Sequence, residues 1–175
     1  MAEPEQDIPD NTPTFVLTST DIAEGESLGK KHELNVFGGT GDNLSPQLTW
    51  QGAPEDTKSF VLTCFDPDAP TGSGWWHWVA FNIPADVTSL DTGIGTETSM
   101  PAGTIQARND FGEKNFGGAF PPPGEVHRYE FRVHALNIDA LDLDDQATPA
   151  LVGFMTGLHT IATAKLTAVY TRRVA

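Results

Sequence analysis

Short segments typical of β-strands dominate this chain. Each is rich in β-branched or aromatic residues and is bounded by Gly, Pro, Asp or Asn, the residues that end strands and form turns. The 17 glycines and 13 prolines are spread along the sequence and do not form one low-complexity tract. We therefore predict a mainly β fold, either a sandwich or a large antiparallel sheet. Seven strands are predicted, near residues 15–17, 33–37, 47–50, 60–65, 76–83, 128–136 and 166–171.

One main helix is predicted near the C-terminus, over residues 149–164. Thr148 is a suitable N-cap, Pro149 suits the first helical position, and apolar residues recur at spacings of three and four. The segment carries no charge, so we expect the helix to bury most of its circumference, in the protein's own core or against a second subunit. Together with the aromatic residues crowded at 75–78, this helix predicts a homodimer. The apolar positions are Leu151, Phe154, Met155, Leu158, Ile161 and Ala162.

The length of 175 residues is typical of one domain, which we place at residues 14–175. Residues 1–13 are predicted to be a disordered acidic tail, and they lack the apolar stretch of a secretory signal. The longest charge-free run, residues 146–164, is too polar to span a membrane. Because the lone Cys64 lies inside an apolar strand and cannot form an intramolecular disulfide, we predict a cytoplasmic protein.

The charge of the chain argues against two classes of partner. Acidic residues outnumber basic ones by 24 to 10, which gives a formal net charge of −14. Phosphate backbones and anionic lipid surfaces would be repelled, so we expect neither nucleic-acid binding nor stable membrane insertion. The sequence also lacks the P-loop, the serine-hydrolase elbow and the His-Glu-x-x-His motif. We expect no cofactor.

Candidate site residues lie in two stretches, and the first runs from Asp66 to Trp78. By period-two alternation, Asp66 ends an apolar stripe on the incoming strand and His77 begins one on the outgoing strand. If both stripes face one core, a carboxylate and an imidazole meet at its rim. The stripes consist of Phe60, Leu62 and Cys64 on the first strand, and of Val79, Phe81 and Ile83 on the second.

The second stretch, residues 116–129, is a loop rich in Gly and Pro followed by the start of a strand. There His127 and Tyr129 alternate onto the same face as the apolar residues that follow. Two imidazoles, a phenol hydroxyl and rigid loop amides are hydrogen-bond donors, and such a cluster over an apolar floor suits a small oxyanion such as a phosphate ester. Asp66 can accept from an imidazole N–H and favour its cationic form, or accept from a ligand ammonium.

Each of these residues also has a purely structural interpretation. Asp-Pro-Asp at 66–68 is typical of a turn. A histidine such as His77 or His127, taken alone, is more often a structural residue than a ligand. The tryptophans at 75, 76 and 78 suit the wall and core of the protein. We interpret the remaining histidines as surface or packing residues, namely His32, His134 and His159.

Taken together, the two stretches resemble the two signatures of the phosphatidylethanolamine-binding protein family, which includes Raf kinase inhibitor protein. The resemblance covers about residues 14–172 and is greatest to the bacterial and archaeal branch. It implies a large β-sheet packed with a smaller sheet and a few helices. The matching segments are Asp66-Pro67-Asp68-Ala69-Pro70 with Trp76-His77-Trp78, and Gly117-Gly118-Ala119-Phe120-Pro121-Pro122 with His127-Arg128-Tyr129. The family's anion pocket would consist of Asp66, His77, Gly118, Pro121, His127 and Tyr129, with Asp68 and Trp78 in support.

The function that the resemblance implies is that of a non-catalytic module that binds a phosphate or a phosphoryl-ethanolamine-like anion and regulates a partner kinase or protease. Two residues depart from the family pattern: Phe116 stands where many members have Tyr, and Ala119 replaces a frequent Pro. The C-terminal segment that completes the pocket in eukaryotic members has no counterpart in residues 164–175. This departure argues against kinase inhibition of the Raf type.

Two other functions are compatible with these residues. A metal-dependent hydrolase would use a ligand set drawn from both stretches. A protease or kinase inhibitor would act through an exposed loop, with no role for the pocket. We expect no enzymatic activity, because Tyr129 has no strong base beside it and Ser73 lacks a triad pattern. The ligand set of the hydrolase would be Asp66, Asp68, His77 and His127.

Overall fold

The structure, a computed structural model, describes residues 8–96 and 100–174. Its strands pair antiparallel in two sheets, a larger one in the order β6-β4-β3-β7-β8 and a smaller one in the order β1-β2-β5. The predicted mainly β architecture is therefore confirmed. The elements are β1 Val16–Thr18, β2 Leu48–Gln51, β3 Ser59–Asp66, β4 Trp75–Pro84, β5 Ser89–Leu90, β6 Ile105–Gln106, β7 Val126–Leu136, α1 Pro149–Gly157 and β8 Thr160–Thr171, with a 3-10 turn at Lys30–His32.

The larger sheet is covered on both faces, and all eight residues of β3 are buried. Its first face packs against the smaller sheet, where the ring of Phe60 meets Trp50 edge-on at 5.5 Å between centroids. Its second face lies under α1, where Val61 and Phe81 belong to one cluster with Val152 of the helix. Because consecutive residues of a strand point to opposite faces, the two cores draw on alternate residues of the same strands.

A bulge in β4 changes the position predicted for His77. The pairing of β3 with β4 shifts register between Cys64 and the residue after it, and His77 is the extra residue on β4. A bulge sets two consecutive residues against one partner, so the alternation is interrupted there. His77 consequently contacts the ring of Tyr129, a residue of the first core. The predicted stripe of His77 is wrong, since its members Val79 and Phe81 lie in the second core.

The C-terminal helix is shorter than predicted. Thr148 caps it as expected, its Oγ1 accepting from the N–H of Leu151 at 3.1 Å. The helix ends at Gly157, and residues 160–164 begin β8 and pair with β7. Three of the first four residues of β8 are β-branched, which favours the strand once a neighbouring strand is available. Pairing with β7 therefore prevails over the local helical spacing.

The helix also buries less of its circumference than its lack of charge predicts. Val152 and Thr156 are buried, but Leu151, Phe154 and Leu158 are 43%, 66% and 60% exposed. The expectation of a largely buried helix is wrong for the single chain, and the homodimer stays a prediction. Across the two described ranges, no helix is long and apolar enough to cross a membrane.

Two further predictions concern the N-terminal part. Residues 33–37 form no strand, because the chain turns there: Phe37 has a φ of 56° and the N–H of Gly39 donates to the carbonyl of Val36. Of the predicted tail 1–13, residues 1–7 lie outside the described residues. The carbonyl of Pro13, at its end, accepts from the N–H of Thr163 at 2.9 Å.

Candidate functional site

His127 lies at the start of β7, and both of its ring nitrogens face carboxylates. Nδ1 is 2.7 Å from Asp66 Oδ2, and Nε2 is 2.7 Å from Glu125 Oε2. The side chains of His127 and Asp66 are 3% and 4% exposed, whereas that of Glu125 is 52% exposed. The imidazole therefore connects a buried carboxylate to one at the surface.

The two carboxylates set the charge of this imidazole. Burial by itself lowers the pKa of His127, but the hydrogen bonds and charges of Glu125 and Asp66 outweigh it and raise the pKa. Burial raises the pKa of Asp66, and the hydrogen bond from His127 opposes that rise. Two carboxylate acceptors require a hydrogen on each ring nitrogen. His127 is thus a buried cation that donates Nδ1–H to Asp66 and Nε2–H to Glu125.

Asp66 is held in place by the turn that follows β3. The N–H of Asp68 donates to Asp66 Oδ1 at 2.8 Å, and Pro67 between them fixes φ. The carboxylate of Asp68 in turn accepts from Nε and Nη2 of Arg128, at 3.0 and 2.8 Å. These hydrogen bonds lower the pKa of Asp68. The Asp-Pro-Asp segment is therefore a turn, as its structural interpretation held, and the same turn orients the carboxylate that binds His127.

His77 contributes an acceptor at neutral pH, where the sequence led us to expect a donor. Its Nδ1 is 2.8 Å from the carbonyl oxygen of Gly117, so Nδ1 carries the hydrogen and Nε2 is unprotonated. Burial lowers the pKa of His77 to about 4, in spite of its backbone hydrogen bonds to Gly117 and Gly118. The N–H of the neutral His77 ring is used by Gly117, so of this pair His127 is the imidazole whose N–H faces the surface side of the site.

Tyr129 supplies a buried hydroxyl to the same region. Its ring meets the ring of His77 edge-on, with centroids 5.1 Å apart. Within the part of the chain that the structure describes, its hydroxyl has no hydrogen-bond partner. Burial raises the pKa of Tyr129 and the charge of Asp66 adds to the rise, so the hydroxyl keeps its proton. A buried O–H without an acceptor is a donor available to a ligand.

The backbone N–H groups of the loop cannot donate to a ligand, because they already donate within the protein. This corrects the prediction that Gly118 is a donor in the anion pocket. Its N–H donates to Asn43 Oδ1 at 2.6 Å, and the amides on either side donate to backbone carbonyls. Glycine is required here for packing, because a Cβ at 118 would lie 2.5 Å from the carbonyl oxygen of His32. Gly118 thus shapes the loop beside the site and donates nothing to it.

Pro121 is fixed by a residue that the sequence did not single out. Its carbonyl accepts from Nε of Arg172 at 2.7 Å, and the guanidinium of Arg172 lies 3.7 Å from the ring centroid of Phe120.

Glu125 is a second site residue that the sequence analysis did not single out. The local indication was that residues two apart in an extended segment share a face, which places Glu125 beside His127. For Arg172 no local indication exists, because its partners lie about fifty residues away.

Trp78 belongs to the core and not to the site. It is fully buried, its Nε1 donates to Gln106 Oε1 at 2.7 Å, and its ring packs edge-on against Phe116. The supporting role predicted for Trp78 is therefore one of packing. Phe116 lies in the same core cluster.

The ligand set of the metal-dependent hydrolase does not come together. Asp68 is bound to Arg128, and Nδ1 of His77 is used by a backbone carbonyl. In residues 8–96 and 100–174, no three His, Cys, Asp or Glu side chains are grouped so as to hold a metal ion. The geometry therefore does not support the hydrolase.

The chain is similar to known proteins in both sequence and fold. A family model described as phosphatidylethanolamine-binding protein matches residues 18–171. The UPF0098 protein YbhB of Escherichia coli K12 is 51% identical over 155 residues, 88% of this chain and 98% of YbhB. The UPF0098 protein YbcL of the same strain is 52% identical over 159 residues, 89% of this chain and 87% of YbcL.

Two solved structures are also similar. The crystal structure of E. coli YbcL, presented as a new member of the mammalian PEBP family, matches with a TM-score of 0.88 at 50% identity and covers 91% of this chain and 99% of that one. A carboxypeptidase Y inhibitor complexed with its cognate proteinase matches with a TM-score of 0.53 at 19% identity, covering 92% and 85%. At that identity the second likeness shows a shared fold alone.

Proposed function

The chain belongs to the phosphatidylethanolamine-binding protein family, and from this premise we propose that it is a non-catalytic module that binds a small oxyanion, a phosphate or phosphoryl-ethanolamine-like group, at His127. The observation that carries the proposal is the contact between Nε2 of His127 and the partly exposed carboxylate of Glu125. Glu125 is an anion held by a buried cation and reached from the surface. A ligand oxyanion would take its place.

The donors around this position suggest a modest affinity. Nε2–H of His127 gives a charge-assisted hydrogen bond of about 1.5–3 kcal/mol, and the hydroxyl of Tyr129 gives a second donor. Displacement of Glu125 and immobilisation of the ligand both oppose binding. We therefore expect free phosphate to bind in the millimolar to high-micromolar range. The displaced Glu125 carboxylate stays beside the site and can accept from a ligand ammonium, which favours phosphoryl-ethanolamine over phosphate.

The same residues argue for binding without catalysis. Burial raises the pKa of Tyr129 and that of Cys64, so neither is an activated nucleophile. Cys64 is free and buried, and on that ground we extend the proposal to a cytoplasmic location. We further propose that ligand occupancy regulates a partner kinase or protease, because a displaced Glu125 changes the charge of the surface that a partner meets, next to the exposed Val126.

Inhibition through a loop, with no role for the pocket, is the second candidate. It is favoured by one observation: Val36 and Phe37 project at the tip of a turn and are 49% and 77% exposed. Inhibition by this loop would be weakened by Phe37→Ser and unchanged by His127→Ala. Regulation through the pocket would show the opposite pattern.

Calorimetric titration with sulfate tests the primary proposal, because the charge of sulfate is constant from pH 5.5 to 9. We expect saturable binding that is strongest at low pH and weakens as pH rises from 6.5 through the raised pKa of His127. His127→Gln should weaken binding at least tenfold at pH 6, and His159→Gln, a histidine distant in sequence from both stretches, serves as the control. Equal affinity from pH 6 to 9, or unchanged affinity in His127→Gln, would refute the proposal.

A further inference from the structure

A cavity of about 540 Å³ lies between α1 and the larger sheet. It is on the face of that sheet opposite the candidate anion site. We call it the helix cavity. None of the described residues that line it is charged. Most of its wall is apolar, and its apolar lining includes Ile8, Val61, Trp76, Val152, Phe154 and Leu158.

Two exposed glycines of α1 line the helix side of this cavity. Gly153 and Gly157 are four residues apart on α1 and therefore share one face. A Cβ added at either position would meet no atom within 4 Å, and neither residue has a positive φ. Glycine inside a helix costs about 1 kcal/mol relative to alanine. Both glycines are exposed, and neither packing nor backbone conformation within the described chain requires glycine at these positions.

The sheet side of the cavity presents a hydrogen-bond acceptor. His134 is 94% buried, and its Nδ1 lies 3.4 Å from Oγ1 of Thr160, which donates its own hydrogen to the carbonyl of Thr156 at 2.8 Å. Nδ1 must therefore carry the hydrogen of this contact, and Nε2 is unprotonated. Within the described part of the chain, the hydrogen-bond contact of this ring is the one between Nδ1 and Thr160. Burial lowers the pKa of His134 to about 3, so the ring is neutral at pH 7.

Two hydroxyls in the lining are without partners. Thr63 and Thr156 are 6% and 2% exposed, and in the described ranges the Oγ1 of each makes no hydrogen bond. Buried polar groups in native proteins are nearly always paired, by protein, water or ligand. A purely apolar gap would not call for two unpaired hydroxyls among the residues beside it. The lining therefore matches a molecule that is largely apolar and carries a hydrogen-bonding group.

We propose that the helix cavity is a binding site for a small neutral molecule with an apolar body and a hydroxyl, such as a phenol or an aliphatic alcohol. The hydroxyl donates to Nε2 of His134, and the apolar body lies along Gly153 and Gly157 between the helix and the sheet. The absence of charge in the described lining excludes a strong preference for an ionised ligand. The volume is within the range of small-molecule sites.

An NMR titration of the full chain with p-cresol and with toluene tests this proposal, read on the methyl signals of Val152 and Leu158. We expect saturable binding of both probes, with p-cresol at least about fivefold tighter because of its hydroxyl. Gly153→Leu adds a bulky apolar side chain at the cavity, and its Cβ would meet no atom within 4 Å. It should weaken p-cresol at least tenfold while the thermal unfolding midpoint is unchanged or higher.

His134→Phe keeps a planar aromatic ring at this position and removes Nε2. It should therefore abolish the preference for p-cresol over toluene. Leu151→Asp is the control on the same helix, since Leu151 is exposed and does not line the cavity. Equal affinities for the two probes would show that His134 does not recognise the hydroxyl, and full binding in Gly153→Leu would show that the probes bind elsewhere. Absence of saturable binding would mean that the cavity holds water only. Each of these outcomes would overturn the proposal. So would a concentration-dependent dimer that Leu151→Asp dissociates and that excludes p-cresol, because a second copy would then cover the cavity.

Discussion

The carboxylate of Glu125 lies 2.7 Å from Nε2 of His127 and covers the surface side of the imidazole. An oxyanion ligand needs the same N–H, so Glu125 is an intramolecular competitor for it. The opposite side of the ring is bound to Asp66, whose carboxylate is buried and fixed by the turn after β3. The site is therefore closed by a residue that a ligand can displace and supported by one that it cannot.

Removal of the competitor should tighten anion binding. We expect Glu125→Ala to raise sulfate affinity about three- to tenfold at pH 6, because one charge-assisted hydrogen bond no longer has to be broken first. The low pH matters, since without Glu125 the pKa of His127 moves back toward its ordinary value. Calorimetry against Glu55→Ala, an exposed loop acid, corrects for the change in net charge. A gain no larger than that of Glu55→Ala would show that Glu125 does not compete.

Asp66→Asn should remove the charge that stabilises the His127 cation and retain an oxygen that accepts from Nδ1–H. We expect the pKa of His127 to fall, because the hydrogen bond and the charge of Asp66 both raise it in the native protein. Sulfate affinity should then fall much more at pH 7.5 than at pH 6, where the ring is still protonated. Histidine titration by NMR, combined with calorimetry at both pH values, measures the two effects. Equal losses of affinity at pH 6 and 7.5 would instead indicate a purely steric role for Asp66.

The two buried tyrosines should respond in opposite ways to loss of the hydroxyl. The hydroxyl of Tyr129 has no partner among the described residues, whereas that of Tyr170 donates to Glu33. Tyr129→Phe should leave the free energy of unfolding unchanged or raise it by up to about 1 kcal/mol, and Tyr170→Phe should lower it by about 1–2 kcal/mol. Urea unfolding without ligand checks both values.

The same pair separates binding from stability. Tyr129→Phe should weaken sulfate binding about fivefold because a donor is lost, and Tyr170→Phe should not change it. Destabilisation by Tyr129→Phe together with unchanged sulfate affinity would show that its hydroxyl is structural.

Local patterns predicted those parts of the site that depend on one strand. Alternation along β7 places His127 and Tyr129 on one face, and the turn chemistry of Asp-Pro-Asp places Asp66 at the end of β3. The position of His77 depended on a bulge, which arises from pairing between two strands and leaves no trace in the alternation of either. The charge of each histidine likewise depended on what lay opposite its ring nitrogens after folding. For this reason two residues of one type have opposite protonation states.

The end of the helix illustrates the same limit for the fold. Residues 160–164 continue the three- and four-residue spacing of α1, yet they begin β8 and pair with residues 133–136 of β7. A segment rich in β-branched residues that lies beside the free edge of β7 gains a ladder of backbone hydrogen bonds. The spacing of apolar residues within one segment does not reveal that edge. The spacing was thus correct over the first nine residues, where no edge competes.

Histidines that are buried and neutral should make the protein acid-sensitive. Burial lowers the pKa of His77 to about 4 and that of His134 to about 3, and it also lowers the pKa of His32. In the unfolded chain each titrates near 6.5. Below that pH the unfolded state binds protons that the folded state does not, so stability that is present above pH 6.5 is lost as pH falls. His127 has a raised pKa and is protonated in both states below 6.5, so it does not contribute to this loss.

We therefore expect the free energy of unfolding to fall between pH 6 and pH 5 by about 1 kcal/mol for each of His77 and His134, since a full proton difference corresponds to about 1.4 kcal/mol per pH unit. Urea unfolding at the two pH values measures the loss. His134→Phe replaces a neutral buried ring by one that cannot be protonated, so its loss should be smaller than that of the wild type by about 1 kcal/mol. His159→Gln, in the half-buried turn after α1, is the control. If His134→Phe loses as much stability on acidification as the wild type, then His134 is not held neutral by its burial beneath α1.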